Sequence, residues 1–309
     1  MLARGLRRLV GSYENVRESL VPLKTILVPL KGGTGDRHAL GHGIDIAHRF
    51  GSHLTALLPG GELSLLTSDS SDASSRIQHQ LLLEAQRQLA RRQSEARQLF
   101  EEAVRDRRAS IAEEPRRSTE ATVQFEWRRG TDEAVIAEAA VFHDLILFHQ
   151  DVEGTEACRG SSDTIKSALQ SSGRPLLLVP TGPSRSPAAT ITISWNGSIE
   201  GAHAVTAALP FLRDATTVHI LTVETAKTPL HEGDRLRRYL GWHGVEAMLQ
   251  PISSGGGAVG GALLSKAAEL GADLFVTGGY SHGRMRQTVL GGVTHHLLRH
   301  SMLPVLLSR

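Results

Sequence analysis

The order of strands and loops in the first half of the chain returns in the second half, 165 residues later. Thr25 and Thr190 each open a short apolar segment, and at the same offset Gly32 aligns with Gly197. The segment and the loop after it therefore repeat together. Because solenoid repeats have periods of roughly 20 to 50 residues, a period this long indicates two duplicated domains.

Short apolar segments alternate with helical patterns in each copy. Because strands that alternate with helices need parallel crossovers, the sequence predicts an α/β fold in which parallel sheets are flanked by helices. We expect two five-stranded sheets, one in each domain, packed together as an internal pseudo-dimer. The predicted strands are 25–30, 54–58, 144–148 and 175–179 in the first half, and 190–194, 218–223, 245–249, 273–277 and 304–307 in the second.

A stretch rich in Pro, Gly and Ser, residues 181–187, separates the two copies and is typical of a linker. The predicted domains are residues 24–182 and 188–309, with residues 1–23 as an N-terminal extension. Residues 74–108 contain neither Gly nor Pro and carry apolar residues near one face, which predicts a long amphipathic helix. This helix either packs on a domain or serves to bind a partner.

Composition and spacing limit the classes of function. Lys and Arg total 34 against 32 Asp and Glu, so the charge gives no reason to expect a nucleic-acid partner. The longest apolar runs are strand-sized, so no membrane partner is expected. A single cysteine excludes a disulfide framework and fits a cytoplasmic location. His38 with His42, and His296 with His300, share a helix face but lack a third ligand, so no metal site is expected.

The segment between the last two predicted strands is the most informative for function. Glycines after a parallel strand let backbone N–H groups approach a phosphate, and the N-terminal end of the following helix attracts the anion. Ligands of open α/β sheets bind at this edge, so the segment predicts a phosphate-binding site; a plain surface turn with a helix cap is the alternative. The residues of this segment that could approach a phosphate are His282, Gly291, Gly292 and Thr294, with Val293 between the last two.

This segment resembles the C-terminal signature of the universal stress protein family. ATP-binding members of that family carry G-x-x-G, nine residues, then G-[ST], usually followed by Val-Thr. With Gly278 as the first glycine, Gly291 falls at the third position, and Val-Thr follows after one residue. Two identities differ, because Ser281 replaces the second glycine and Gly292 replaces Ser or Thr. The chain is similar to a tandem, two-domain member over residues 24–309.

The resemblance implies a Rossmann-like fold of the adenine nucleotide alpha hydrolase type, with ATP or AMP, and with Mg²⁺ where needed, bound in the second domain during a stress response. It places Asn196 where the family has Asp, and an amide there can still hydrogen-bond a ribose or adenine. Ser198 either contacts the ligand or caps a helix. Val223 matches the position whose backbone meets adenine in the family.

The first domain is degenerate by the same alignment. His149 takes the place of Gly278, and Lys31 takes the place of Asn196. Because a chain without the glycines cannot approach a phosphate as closely, the first domain is expected to act as a pairing partner. Two other functions stay open: a nucleotide-free scaffold that binds small ligands or proteins, and a slow ATPase with His282 as its nearest general base. Protein partners are unspecified, a homodimer stays open, and no catalytic residue is predicted.

Overall fold

A computed structural model describes residues 23–61, 72–115, 120–150, 156–182, 189–223, 231–252, 258–279 and 292–309. The strands of the first half are β1 (Thr25–Pro29), β2 (His53–Pro59), β3 (Ser110–Ile111), β4 (Thr122–Arg128), β5 (Leu145–His149) and β6 (Leu176–Val179). Its helices are α1 (Gly35–Phe50), α2 (Asp72–Arg107), α3 (Asp132–Ala140) and α4 (Glu156–Ser171).

The second half has the same alternation. Its strands are β7 (Thr190–Ser194), β8 (Thr217–Val223), β9 (Met248–Ile252), β10 (Leu274–Gly278) and β11 (Val305–Ser308). Its helices are α5 (Ile199–Asp214), α6 (His231–Trp242), α7 (Val259–Glu269) and α8 (Gly292–His300). Within the described residues, no helix is both long enough and apolar enough to cross a membrane.

The eleven strands form one sheet in the order β3-β4-β2-β1-β5-β6-β11-β10-β7-β8-β9. Strands within each half are parallel, and the halves join through an antiparallel pair in which Val305 lies opposite Leu178. The α/β fold class is thus confirmed, whereas the expectation of two separate sheets is wrong. Edge strands carry unpaired backbone N–H and C=O groups, and pairing β6 with β11 satisfies both edges at once.

The antiparallel junction fixes where each half can hold a ligand. The strands run in opposite directions on the two sides of this junction. The carboxyl ends of the first-half strands therefore lie at one of the two edges that the strand ends form. The carboxyl ends of the second-half strands lie at the opposite edge. Any site built in the usual place, at the carboxyl ends of parallel strands, therefore belongs to one half alone.

Helices cover both faces of the sheet, because alternate strand residues point to opposite sides. Ile146 and Leu147, neighbours in β5, enter different core clusters. The first cluster contains side chains of α1, α2, α5 and α6, namely Leu40, Phe100, Phe211 and Leu240. The second cluster contains side chains of α3, α4, α7 and α8, namely Ile136, Leu169, Leu263 and Leu297.

The duplication extends to individual hydrogen bonds. In the first half, Asp144 Oδ2 accepts from the backbone N–H of Thr25 at 2.9 Å. In the second half, Asp273 Oδ2 accepts from the backbone N–H of Thr190 at 3.0 Å. Each bond ties the residue before β5 or β10 to the start of β1 or β7, so the same local solution recurs in both halves.

Several predicted elements need adjustment. The long helix is confirmed as α2, whose buried Ala96, Phe100 and Ala103 pack on the first half. The third strand of the second half, predicted at 245–249, lies at Met248–Ile252. The sequence analysis missed β4, and most of the predicted linker, residues 183–187, lies outside the described residues.

Candidate functional site

The predicted site lies at the carboxyl edge of the second-half strands. β10 and β7 are neighbours, with Thr277 opposite Ser194, so Gly278 and Asn196 leave the sheet at the same edge. Val223 ends β8, the strand on the other side of β7. The topology therefore brings Asn196, Val223 and Gly278 to one edge, as the sequence predicted.

Gly278 allows β10 to end directly against the first turn of α5. A Cβ on this residue would lie 2.5 Å from the backbone nitrogen of Gly201 and 2.8 Å from the carbonyl carbon of Glu200. Because both neighbours are backbone atoms of a helix, they cannot swing away as a side chain would. The glycine is therefore needed for the close approach of two chain segments at this edge.

The loop from β7 to α5 is a tight turn closed by its own side chains. Asn196 Oδ1 accepts from the backbone N–H of Ser198 at 3.1 Å, and Ser198 Oγ accepts from the backbone N–H of Gly201 at 3.0 Å. Ser198 is thus the N-cap of α5. Between them, Gly197 has a φ of 74°, which favours glycine. Asn196 and Gly197 are exposed, so this loop is open to solvent.

The helix after the predicted glycine segment starts at Gly292, in agreement with the sequence analysis. Gly292 is exposed, and among the described residues nothing lies within 4 Å of where its Cβ would stand. Val293 packs against the second core cluster, and Thr294 is buried. The remaining candidates, Ser281, His282 and Gly291, lie outside the described residues.

The counterpart loop of the first half holds an internal carboxylate. Asp36, only 3 % exposed, accepts from the backbone N–H groups of Lys31 at 3.0 Å and of Gly32 at 2.8 Å. Burial raises the pKa of Asp36, and the hydrogen bonds from the loop oppose that rise. The N–H groups that could bind an external anion are thus already bound to a side chain of the same loop.

Two further side chains cover this first-half loop. His149, at the position of Gly278, places Nδ1 2.5 Å from where a Cβ on Gly35 would stand, so the imidazole lies over the start of α1. From α2, Arg92 donates through Nε to the carbonyl oxygen of Lys31 at 2.7 Å. The first half thus covers this loop with an imidazole and a guanidinium, whereas in the second half the Glu232 carboxylate lies beside Gly197, with Oε2 3.3 Å from where a Cβ would stand.

Sequence reasoning identified His149 and Lys31 as departures from the family pattern but missed Asp36 and Arg92. An acidic residue one position after Lys-Gly-Gly-Thr-Gly was a usable signal, because a carboxylate at a helix start accepts loop N–H groups. Arg92 gave no such signal, since it lies 61 residues from Lys31 on a helix that is polar over most of its surface.

Comparisons with known proteins agree with this fold. Residues 22–145 match the sequence model of the universal stress protein family. A universal stress protein from Archaeoglobus fulgidus DSM 4304 superposes with a TM-score of 0.63 at 16% identity, over 94% of this chain and 97% of that chain. A functionally unknown protein from Pseudomonas aeruginosa PAO1 gives 0.54 at 16% identity, over 93% and 92%. No curated protein matches the chain by sequence.

Proposed function

From the family match over residues 22–145 and the fold shared with universal stress proteins, we propose that this chain is a universal stress protein whose second half binds an adenine nucleotide, ATP or AMP, in a cytoplasmic stress response. The first half then serves as the structural partner, joined to the second through β6 and β11. In this proposal the protein binds the nucleotide and does not need to catalyse a reaction on it.

The difference between the two equivalent loops carries the proposal. In the first half, Asp36 occupies the loop N–H groups and His149 covers the start of α1. In the second half, Asn196 and Gly197 are exposed, and Gly278 has no side chain to cover α5. A carboxylate also lies beside the second-half loop, since Glu232 Oε2 is 3.3 Å from where a Cβ on Gly197 would stand. It approaches from α6, on the opposite face of the sheet from α8, so an anion can still reach the end of β10 and the N-terminus of α8.

The proposed placement follows from the edge geometry. The phosphates would lie between the end of β10 and the start of α8, against Gly278, Ser281, His282 and Gly291 to Thr294. The ribose or adenine would lie near Asn196 and Ser198, with the adenine over the end of β8 at Val223. Both α5 and α8 begin at this edge, so two helix N-termini would favour the negative charge.

The test is a calorimetric titration of the whole chain with ATP, comparing the native protein with Gly292→Val. A valine here meets open space in the ligand-free protein, so the fold should be kept, while the side chain would crowd the phosphates. We expect at least a tenfold loss of affinity, about 1.4 kcal/mol. Gly241→Val is the matched control, because Gly241 also lies in a helix with open space around it. Equal affinity of all three proteins would refute the placement.

A nucleotide-free pseudo-dimer is the second candidate function. It is favoured by the turn itself, in which Asn196 Oδ1 and Ser198 Oγ already accept backbone hydrogen bonds. The same titration distinguishes the two candidates, because a nucleotide-free protein would show no saturable heat with ATP or AMP, with or without Mg²⁺.

A further inference from the structure

A cavity of about 420 Å³ lies between α5 and α6. Its floor consists of Val205 and Leu236, which are both buried, and Trp195, Ile199 and Tyr239 form its walls and rim. The volume is within the range of small-molecule sites, which are mostly apolar with a few placed polar groups. The cavity is on the opposite face of the sheet from Val223 and α8, and it adjoins the proposed nucleotide site at the loop after β7, where Ser198 borders both.

The equivalent position in the first half is closed. There, Arg92 of α2 packs on Gly32, the counterpart of Gly197, and donates to the carbonyl oxygen of Lys31. Ion pairs Arg37–Glu102 and Arg107–Asp45 then hold α1 and α2 together. In the second half, α5 and α6 are tied at their far ends, where Arg213 donates to the carbonyl oxygen of His243 at 3.2 Å. The cavity thus occupies a space that the duplicated fold fills in its other copy.

The charge inside the cavity belongs to Glu232. Its side chain is 19 % exposed, whereas its ion-pair partner Arg235, at 2.8 Å, is 74 % exposed. Exposed ion pairs contribute little, so the guanidinium can leave the carboxylate at small cost. The backbone oxygen of Glu232 accepts from Trp195 Nε1 at 3.1 Å, which fixes the indole beside the carboxylate. An aromatic ring next to a shielded carboxylate is a favourable place for an organic cation.

We propose that this cavity binds a small organic amine with an aromatic or aliphatic body. The body packs on Leu236 and Val205 between Trp195 and Tyr239, and the ammonium group replaces Arg235 as the partner of Glu232. Its lining residues need no bound nucleotide, so the site is tested on the whole chain in the absence of ATP.

Two probes of the same shape and opposite charge test the charge preference. 2-Phenylethylamine carries an ammonium group, and 3-phenylpropionate carries a carboxylate on the same phenylethyl body. Binding is followed by calorimetry and by the NMR signal of the Trp195 indole N–H, identified with a Trp195→Phe variant. We expect the amine to bind at least tenfold more tightly than the acid and to shift the Trp195 signal.

Glu232→Gln should remove the preference for the amine, because it keeps the volume and the backbone contact to Trp195 but removes the charge. Asp234→Asn is the matched control, since Asp234 pairs with Arg237 on the same helix, three residues apart, and does not line the cavity. Ala202→Leu, which fills the cavity from α5, should abolish binding of both probes. The proposal is overturned if the acid binds as well as the amine, if Asp234→Asn has the same effect as Glu232→Gln, or if neither probe moves the Trp195 signal.

Discussion

Gly278→Ala is the most direct test of the close approach between β10 and α5. The new methyl group would lie 2.5 Å from the nitrogen of Gly201, 2.8 Å from the carbon of Glu200 and 3.0 Å from the Cα of Gly201. Because non-bonded atoms pack at about 3.5 Å, α5 must move by roughly 1 Å to accept it. That movement would disturb the packing of Ala204 and Val205 on the sheet.

The expected cost combines two opposing effects. Inserting a methyl group into well-packed structure costs about 1–3 kcal/mol. Replacing glycine reduces the freedom of the unfolded chain, which stabilises the protein by about 0.4–1 kcal/mol. We therefore expect a net loss of about 1–2 kcal/mol in the free energy of unfolding, measured from urea denaturation by circular dichroism.

Gly241→Ala is the control for this substitution. Its Cβ meets open space, and alanine is favoured over glycine within a helix, so the variant should be as stable as the native protein or slightly more stable. If Gly278→Ala were also as stable as the native protein, the close approach would be absent and the argument for this edge would fail.

Two further predictions concern stability and assembly. Burial lowers the pKa of His42 from 6.5 to about 4. Between these two pH values the unfolded chain binds a proton that the folded chain excludes, so the free energy of unfolding falls as the pH drops. His42→Leu should remove about 3 kcal/mol of that fall between pH 7 and pH 4 in urea titrations; an unchanged pH dependence would contradict the assignment. Residues 24–182 alone would leave β6 unpaired, so light scattering should show a dimer, and a folded monomer would contradict the role of the β6–β11 pair.

The positions of most strands along the chain could be predicted because the evidence is local. Buried parallel strands are short apolar runs bounded by turn residues, and 190–194 coincides with β7. β4 was missed because only continuous apolar runs were interpreted as strands, whereas Thr122–Arg128 alternate polar and apolar side chains, which is the pattern of a half-buried strand. The joining of the two sheets has no local sign, since nothing in Leu176–Val179 specifies that its partner is Val305–Ser308.

The candidate site could be predicted only where a residue type has one structural meaning. A glycine after the buried strand predicted a close approach to a phosphate, and the structure gives Gly278 a further role, because it lies against the backbone of Glu200 and Gly201 in α5. Ser198 allowed two interpretations, and its cap bond to Gly201 shows which one the turn uses. The filled loop of the first half could not be predicted in full, because Arg92 reaches it from a distant helix and only the folded chain brings the two together.

The family match and the open loop fall in different halves, and the topology explains how both can hold. The match ends at residue 145, at the start of β5, so it covers β1 to β4 and α1 to α3 but not the segment after β5 where ligand glycines would lie. It therefore reflects the framework of the first half and not a binding loop. Because the antiparallel junction sends the two sets of carboxyl ends to opposite edges, His149 and Asp36 could fill the first loop without touching the second. One half can thus keep the family framework while the other keeps the open site.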